Sequence, residues 1–218
     1  VQAAAAQVRA QLGGETLLGL VNNAGIAIPA PLMHQPTDDF RHQLEVNLVS
    51  VLIVTKAFLP LLGADRSLRG RPGRIVNISS TSGKFGFPFV GAYVASKHGL
   101  EGFSESLRRE LMLYGIDVII VAPGAIATPI WDKAEQVDIT KYANTDYVEL
   151  ARRVQKYMVQ SGKNGLPPEE VAEVVLRALT ASRPRVRYAL APGSFLSRLL
   201  PQIAPKRPAA LDRRLIAL

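Results

Sequence analysis

Three short apolar runs, each followed by a cluster of small or polar residues, constrain the fold of this chain more than any other feature. The runs cover residues 16–21, 74–78 and 117–121, and long stretches with helical spacing separate them. Runs of this length, bounded by turn residues, are typical of buried strands, and strands that alternate with helices form a parallel sheet. We therefore predict an α/β fold, a doubly wound parallel sheet with helices on both faces.

Helical segments lie before, between and after those runs. We predict helices at 1–13, 38–62, 91–114 and 167–181, and a last strand at 186–190. Thr37 is the expected N-cap of the second helix, and Gly115 ends the third. Residues 129–165 are polar and only loosely helical, which is the pattern of a lid or insertion.

The residues that follow the three strands point to one binding site. They are the segments 22–25, 79–83 and 123–128. In parallel sheets ligands bind beyond the carboxyl ends of the strands, because those ends lie along one edge of the sheet. We therefore expect these three segments to form a common rim.

A tyrosine and a lysine lie four residues apart in the helix predicted at 91–114. Tyr93 and Lys97 therefore share one helix face. A phenol is a poor base near neutral pH because its pKa is about 10, and a neighbouring ammonium lowers that pKa. Ser80, just past a strand, could donate to a substrate carbonyl or alkoxide. Together they form a sensible proton donor and acceptor.

Each of these signals also has a purely structural explanation. Tyr–Lys pairs at this spacing are common on solvated helix faces, and the polar run 79–82 fits a turn. Their conjunction is more specific: RIVNISSTSG is followed by YVASK, preceded by LVNNAG and succeeded by VAPGAIATP. We interpret Asn22 as a link between adjacent strands, and Thr81, Ser82 and His98 as turn and surface residues.

With these motifs the chain resembles the short-chain dehydrogenase/reductase family, strongly over residues 15–128 and more weakly to about 190. It is most similar to the branch of 17β-hydroxysteroid, retinol and 3-hydroxybutyrate dehydrogenases, through YVASKHGLEGFSESLRREL and RALTASRPRVRYAL. The resemblance implies a Rossmann-like fold, NAD or NADP as cofactor, and an oxidoreductase that interconverts a secondary alcohol and a ketone. It also implies a small hydrophobic substrate, such as a steroid or retinoid.

The same resemblance implies roles for individual residues. Tyr93 would be the catalytic acid/base, Ser80 would orient the reacting oxygen, and Lys97 would lower the tyrosine pKa and bind the nicotinamide ribose. Asn47 matches an asparagine whose backbone supports a proton-relay water. Besides Tyr93 and Lys97, the expected cofactor-binding positions are Asn23, Ala24, Gly25, Pro123, Gly124, Ile126 and Thr128.

Aromatic residues close to the site are candidates for substrate contacts. The loop 85–89, between Ser80 and Tyr93, holds Phe87 and two other phenylalanines, which could line an apolar pocket or pack in the core. Trp131 begins the predicted lid, where it could close over a substrate or pack the lid on the body. We predict Ser80, Phe87 and Trp131 as substrate-binding residues.

One feature of the family has no counterpart here. The family opens with a strand and a glycine-rich turn, broadly TGxxxGIG, which binds pyrophosphate at a helix N-terminus, and nothing in this sequence matches it. By resemblance we expect an N-terminally truncated chain without the first βαβαβ portion, roughly sixty residues. The strand at 16–21 would then be an exposed edge. An alternative is a catalytically silent fragment or scaffold with the same fold.

Composition excludes several other classes of protein. The length fits a single domain over 1–218, and the chain has no cysteine and no metal-ligand spacing among its three histidines. We therefore expect no disulfide scaffold and no metal site. We recognise no signal peptide and no uncharged apolar run long enough to span a membrane, and we expect a cytoplasmic protein.

The net charge of +8 is concentrated near the C-terminus, where residues 183–218 hold eight Lys or Arg and one acid. The basic C-terminal segment 191–218 invites a nucleic-acid or membrane-surface interpretation. Its prolines interrupt any long amphipathic helix. We therefore expect no nucleic-acid partner, and we favour a solvated segment or substrate-entry cap over peripheral membrane contact.

A homo-oligomer is a further expectation that rests on the resemblance alone. Similar proteins pair through the helices that correspond to 38–62 and 91–114. The apolar residues considered for such an interface, which could equally pack on the sheet, are Ala57, Phe58, Leu61, Phe103, Leu107 and Leu111.

Overall fold

A computed structural model of the chain describes residues 1–191. The predicted basic segment 191–218, apart from Ala191, lies outside the described residues. The described part contains a four-stranded parallel sheet with the strands in chain order. Helices lie on both faces of this sheet, which confirms the predicted α/β, Rossmann-like architecture.

The strands match the predicted runs with small shifts at their ends. They are β1 (Gly19–Asn22), β2 (Arg74–Ile78), β3 (Asp117–Pro123) and β4 (Arg187–Leu190). The first begins three residues later than predicted, because Thr16 and Leu17 donate to the carbonyls of Arg69 and Leu61 rather than to β2. β1 forms one edge of the described sheet, as expected.

Seven helices cover the described residues. They are α1 (Gln2–Gln11), α2 (Thr37–Leu44), α3 (Ser50–Phe58), α4 (Gly91–Leu111), α5 (Ile130–Glu135), α6 (Val148–Lys163) and α7 (Pro168–Thr180). Thr37 is the first residue of its helix rather than the N-cap, which is Pro36 and makes no side-chain capping bond. Gly115 ends the α4 region in a left-handed conformation, as predicted.

The core forms on both faces of the sheet because successive strand residues point to opposite sides. Ile75 and Val118 pack with residues of α4, whereas Val76 and Ile119 pack with residues of α7. Several residues considered for an oligomer interface are instead buried within this chain: Ala57, Leu61, Leu107 and Leu111. Packing on the sheet therefore accounts for these positions.

The predicted helix at 38–62 is interrupted between α2 and α3. Residues Glu45–Val49 form a π-helical turn, and Leu59–Leu62 end the region as a 3₁₀ turn. By length and mean hydropathy (1.7) alone, Thr37–Leu62 could cross a membrane. Charged residues, Lys56 among them, interrupt its apolar run, in keeping with the expectation that no uncharged run is long enough to span one. Gln43 and Asn47 within it are buried and bond to backbone of the preceding segment, as in a helix that packs on a domain.

The predicted lid contains two helices, α5 and α6, packed against each other. The Trp131 ring lies so close to Gly162 that a Cβ there would come within 2.0 Å of it. The Trp131 indole nitrogen donates to the carbonyl of Ile126 (2.6 Å), and Gln155 of α6 donates to the carbonyls of Ala134 and Val137 (3.0 and 2.9 Å). Trp131 therefore ties the two lid helices to the segment that follows β3.

Candidate active site

The serine and tyrosine predicted to act together are hydrogen-bonded in the folded chain. Ser80 follows β2, Tyr93 lies in the first turn of α4, and the Ser80 hydroxyl bonds to the phenol oxygen of Tyr93. Ser80 also accepts from the backbone N–H of Ser82 (3.1 Å), which fixes its side chain at the start of a short 3₁₀ turn. The site therefore holds a phenol and a hydroxyl at one point of the rim.

Lys97 lies one helical turn beyond Tyr93 and is almost entirely buried, with 4% of its surface exposed. Its ammonium is 5.7 Å from the centroid of the Tyr93 ring and donates to the carbonyl of Ile78 (2.9 Å) at the end of β2. Burial lowers the pKa of Lys97 from 10.5 to about 8. The lysine thus bridges α4 and β2 directly behind the tyrosine.

The pKa of Tyr93 differs from the sequence-based expectation. Burial of the phenol raises its pKa above 10, and the hydrogen bond from Ser80 only partly opposes that rise. A lowering by the Lys97 ammonium was expected, but the charged lysine is itself disfavoured by the same buried surroundings. In this structure the phenol is therefore held in its protonated form near neutral pH.

Asn47 lies in the π-helical turn and fixes the segment that follows β1. Its side-chain oxygen accepts from the N–H of Ile26 and its nitrogen donates to the carbonyl of Ile26, both at 2.8 Å. The same nitrogen donates to Ser96 (3.0 Å), whose hydroxyl donates to the carbonyl of Tyr93 (2.7 Å). Asn47 therefore links the first strand end to the helix that carries Tyr93. Its predicted backbone role in a water relay stays a prediction.

Gly25 brings the first strand end into contact with the same group of side chains. A Cβ at Gly25 would lie 3.3 Å from the Asn47 side-chain oxygen and 3.6 Å from the Lys97 nitrogen. A larger residue at this position would crowd both. Asn23, Ala24 and Gly25 are exposed along this stretch, so their backbone is free to approach a ligand.

The segment after β3 borders the rim on the lid side. Gly124 donates to the carbonyl of Leu190 (2.6 Å), and Ile126 pairs with Leu166. Pro123 is buried, whereas Gly124, Ile126 and Thr128 are half-buried. Apart from Tyr93 and Lys97 on α4, the residues predicted to bind the cofactor thus lie at the carboxyl ends of β1 and β3, on either side of β2, and their individual roles stay predictions.

The nicotinamide and ribose end of a dinucleotide would fit this rim, because the side chains around it are those that this part of the cofactor needs. The Lys97 nitrogen lies beside the exposed backbone at Gly25, with the Tyr93 ring next to it. Hydroxyls and backbone N–H groups at strand ends suit a ribose and a carboxamide. No group of three His, Cys, Asp or Glu side chains that could hold a metal lies within the described residues.

The structure assigns structural contacts to several other predicted positions. The Asn22 side chain donates to Asn77 (2.8 Å) and Thr55 (3.3 Å), which confirms its interpretation as a link between strands. Residues Thr81–Gly83 form a turn, and His98 is exposed on the helix surface, both as predicted.

The aromatic residues predicted to contact a substrate, Phe87 and Trp131, both contact the lid, and neither lines the apolar cavity. The Phe87 ring stacks on Tyr157 of α6 (centroids 6.0 Å apart), and Trp131 packs within the lid. The apolar cavity next to the site is lined instead by Phe89, and by residues of the lid that sequence reasoning missed, including Tyr142 and Met158. Their only signal was a location in the predicted lid.

A parallel sheet with a serine at one strand end, and a tyrosine and a lysine on the helix that follows it, defines the class of dinucleotide-binding α/β oxidoreductases. The family model described as short chain dehydrogenase matches residues 1–138. The chain belongs to the short-chain dehydrogenase family, as predicted.

Individual relatives agree with this membership. An NADPH-dependent 3-dehydrocapnine reductase from Ornithobacterium rhinotracheale is 37% identical over 207 residues, covering 95% of this chain and 72% of the relative. Retinol dehydrogenase 16 from Mus musculus is 35% identical over 195 residues, covering 83% of this chain and 58% of the relative. This chain therefore spans only part of the length of the curated relatives it matches.

The fold also matches solved structures. NAD+-bound xylitol dehydrogenase has a TM-score of 0.71 and 25% identity to this chain, over 88% of this chain and 74% of that one. The names of these proteins include both NADPH and NAD+. They agree with a nicotinamide cofactor for the family and leave its identity in this chain open.

Proposed function

We propose that the protein interconverts a secondary alcohol and a ketone, with Tyr93 as proton donor and acceptor. The observation that carries this proposal is the half-buried Tyr93, whose phenol is hydrogen-bonded to Ser80 and backed by Lys97 one turn away. A phenol and a hydroxyl at one point of a strand-end rim can both bond to a single substrate oxygen. Two such hydrogen bonds stabilise the oxygen of a carbonyl as negative charge develops on it during reduction to an alcohol.

The raised pKa of Tyr93 suits this phenol to act as a proton donor. Near neutral pH the phenol keeps its proton, so it can donate that proton to the oxygen of a ketone as negative charge develops there. Ser80 would hydrogen-bond to the same oxygen and keep it close to the phenol of Tyr93. A nicotinamide, when bound, supplies or accepts the hydride.

The cofactor would be held by residues on both sides of the tyrosine. Asn23, Ala24 and Gly25 offer exposed backbone, and Lys97 offers an ammonium next to them. NAD and NADP are both compatible with these contacts. Fluorescence titration of the full chain with NADH and with NADPH would compare their affinities.

An apolar substrate is supported by the surroundings of the rim. The cavity between the body and the lid is lined almost wholly by apolar side chains, including Phe89 and Met158. The names of the relatives include retinol dehydrogenases and a 17-beta-hydroxysteroid dehydrogenase. We propose a hydrophobic alcohol or ketone for this chain.

Substitution of Tyr93 tests the mechanism. Tyr93→Phe removes the proton donor but keeps the ring, so we expect a fall in kcat of about a hundredfold or more with the fold unchanged. The measurement is the oxidation of NADPH or NADH with a panel of hydrophobic ketones. Tyr114→Phe is the matched control, since Tyr114 lies at the other end of the helical stretch, about 30 Å away. Equal turnover in Tyr93→Phe and the unmodified chain would refute the mechanism.

A catalytically silent protein with this fold is the second candidate. It is favoured by one observation, that no glycine-rich turn of the family type is found in this sequence. The titration with NADH and NADPH separates the two, because a silent scaffold without a complete cofactor site would give no saturable change in fluorescence.

A further inference from the structure

A small apolar cavity lies between the body of the protein and the lid. Its volume is about 50 Å³, room for only a few atoms. The walls contributed by the body are Pro29, Ala30 and Phe89, and those contributed by the lid are Ala134, Val137, Ile139, Tyr142, Ala151, Val154, Gln155, Met158 and Val159. The cavity is partly open, so a ligand larger than a few atoms would extend out of it or displace the lid.

One wall of this cavity carries a hydroxyl that has no partner. Tyr142 is 6% exposed, and its phenol oxygen has neither solvent contact nor a hydrogen bond to any of residues 1–191. The other polar side chain in the wall, Gln155, already donates its amide N–H groups to backbone carbonyls at the end of α5 and just beyond it. A buried hydroxyl without a partner is unfavourable, so the hydrogen bonding of the lid is incomplete at Tyr142.

Neighbouring rings and charges hold Tyr142 in place. The Lys141 ammonium lies 5.1 Å from the centroid of its ring, and the His34 ring lies 6.2 Å away. On the far side of the cavity, the Phe89 ring packs edge-on against Tyr147, 6.1 Å between centroids. The unpaired hydroxyl is therefore part of a packed aromatic group and not of a loose surface side chain.

The cavity and the reaction site draw residues from the same two segments of the body. Phe89 comes one turn before Tyr93, and its carbonyl accepts from the N–H of Ala30 (2.7 Å), in the segment that follows the first strand end. Phe89 has a positive φ of 65°, a conformation that is strained for a residue with a large side chain. The same two segments thus carry the catalytic rim and one wall of the cavity.

We propose that the Tyr142 hydroxyl pairs with a second oxygen of the substrate, remote from the carbon that reacts at Tyr93. The substrate class is then an apolar chain or ring system with an oxygen function at each end. One oxygen lies at Ser80 and Tyr93, and the second satisfies Tyr142 as the apolar body fills the space under the lid. This inference rests on the proposed function and makes Tyr142 a residue that determines specificity.

The single tryptophan of the chain gives a readout of binding that does not need turnover. Trp131 packs on Gly162 within the lid, so its fluorescence responds when the lid relaxes around a ligand. The probes are linear methyl ketones of several chain lengths, each with and without a terminal hydroxyl group. We expect the hydroxylated member of one pair to bind about three- to tenfold more tightly, the usual worth of one hydrogen bond.

Tyr142→Phe should erase that preference. The ring still fills its place, so we expect the plain ketone to bind as before and the ratio of the two dissociation constants to fall to about one. Tyr147→Phe is the matched control, since it belongs to the same aromatic group but does not line the cavity, and it should keep the preference. Circular dichroism melts of both variants would verify that they fold.

Three results would overturn the inference. They are equal binding of both ketones at every chain length by the unmodified chain, an unchanged preference in Tyr142→Phe, and no saturable fluorescence change with any ketone. Failure of the proposed function is a separate result. In that case Tyr93→Phe would not alter turnover, whereas the binding preference and its loss in Tyr142→Phe would still be measurable.

Discussion

Lys97 is the residue at which the chemistry of the site and the stability of the fold conflict. Its burial lowers the pKa of the ammonium from 10.5 to about 8. At neutral pH the lysine is still largely charged. The charged form is more stable in the unfolded chain, where water solvates it, than in the folded chain, where it is buried. A difference of this size corresponds to about 3 kcal/mol against folding.

Lys97→Met should therefore stabilise the protein near neutral pH while it damages activity. The hydrogen bond to Ile78 is lost, so we expect a net gain of about 2 kcal/mol in the free energy of unfolding at pH 7. Between the folded pKa of about 8 and the unfolded value of 10.5, the unfolded state binds more protons, and the stability of the unmodified chain rises with pH. The gain from Lys97→Met should shrink through that window. Urea denaturation of both proteins from pH 7 to pH 10 measures this difference.

A difference in the free energy of unfolding between the two proteins that does not change with pH would contradict a buried, charged Lys97. Lys163→Met is the control, because that lysine is solvent-exposed and its pKa is raised by Glu135. Its substitution should have no stabilising effect in the same range.

At this scale the sequence predicts which candidate groups lie together, and it predicts their surroundings poorly. Ser80, Tyr93 and Lys97 follow from spacing and motif, because helix periodicity brings two of them to one face and a strand end supplies the third. The rise in the tyrosine pKa depends on burial, which a motif does not encode. Tyr142 is invisible for a similar reason, since an unpaired hydroxyl is a property of the tertiary contacts around it.

Among the elements, α4 and β4 are joined by a buried ion pair. Glu101, one turn beyond Lys97, has only 3% of its side chain exposed. Arg187, the first residue of β4, binds its carboxylate with two nitrogens, at 2.9 and 3.0 Å. Lys84, just after the turn that Ser80 opens, lies 3.4 Å from the same carboxylate. The pair therefore connects the catalytic helix, the serine turn and the last described strand.

Removing one partner of this pair should be costly, whereas removing both should not. Arg187→Met leaves a buried carboxylate with only Lys84 nearby, and we expect a loss of about 3 kcal/mol in the free energy of unfolding. The double variant Glu101→Leu, Arg187→Met should recover most of that loss. Chemical denaturation of the single and double variants measures the coupling.

An exposed glutamate on the same helix provides the control. Glu105 is 4.0 Å from Lys84 and largely solvated, so Glu105→Leu should change stability by less than about 1 kcal/mol. Strictly additive effects of the two substitutions at Glu101 and Arg187 would refute a coupled pair.

The elements themselves were predictable except where the backbone departs from regular geometry. The strands β2 and β3 begin where predicted, because β-branched runs between turn residues favour nothing else. The π-helical turn at Glu45–Val49 was missed. It arises from one extra residue in a turn, and apolar spacing in the sequence does not distinguish that turn from an α-helical one.

At the scale of the whole molecule, apolar side chains are exposed on the outer face of α3 and at the residue just before it. Val49, Leu52 and Ile53 are 37%, 43% and 45% exposed and lie on adjacent turns. These residues, rather than the buried ones named from the sequence, are available to contact a second copy of the chain. The homo-oligomer stays a prediction, now with a different set of residues.

A charge on that surface should weaken self-association. Leu52→Glu places a carboxylate in the proposed contact, and we expect the dissociation constant of the oligomer to rise at least about tenfold. Sedimentation velocity over a range of protein concentrations measures this. Met112→Glu, at an exposed apolar position beyond the end of α4, should leave the constant unchanged. A monomeric unmodified chain at all concentrations would rule out the interface.

The sheet has the same strand order in space as in the chain, and this has a consequence for synthesis on the ribosome. Each new strand finds its neighbour already made, so the sheet can grow by one strand at a time in the direction of translation. The intervals are long, since Val121 pairs with Tyr188 only after the lid and α7 have emerged. At typical elongation rates that wait is on the order of several seconds. During it, Ser80, Tyr93 and Lys97 have already been synthesised, and Glu101 still lacks the arginine that pairs with it.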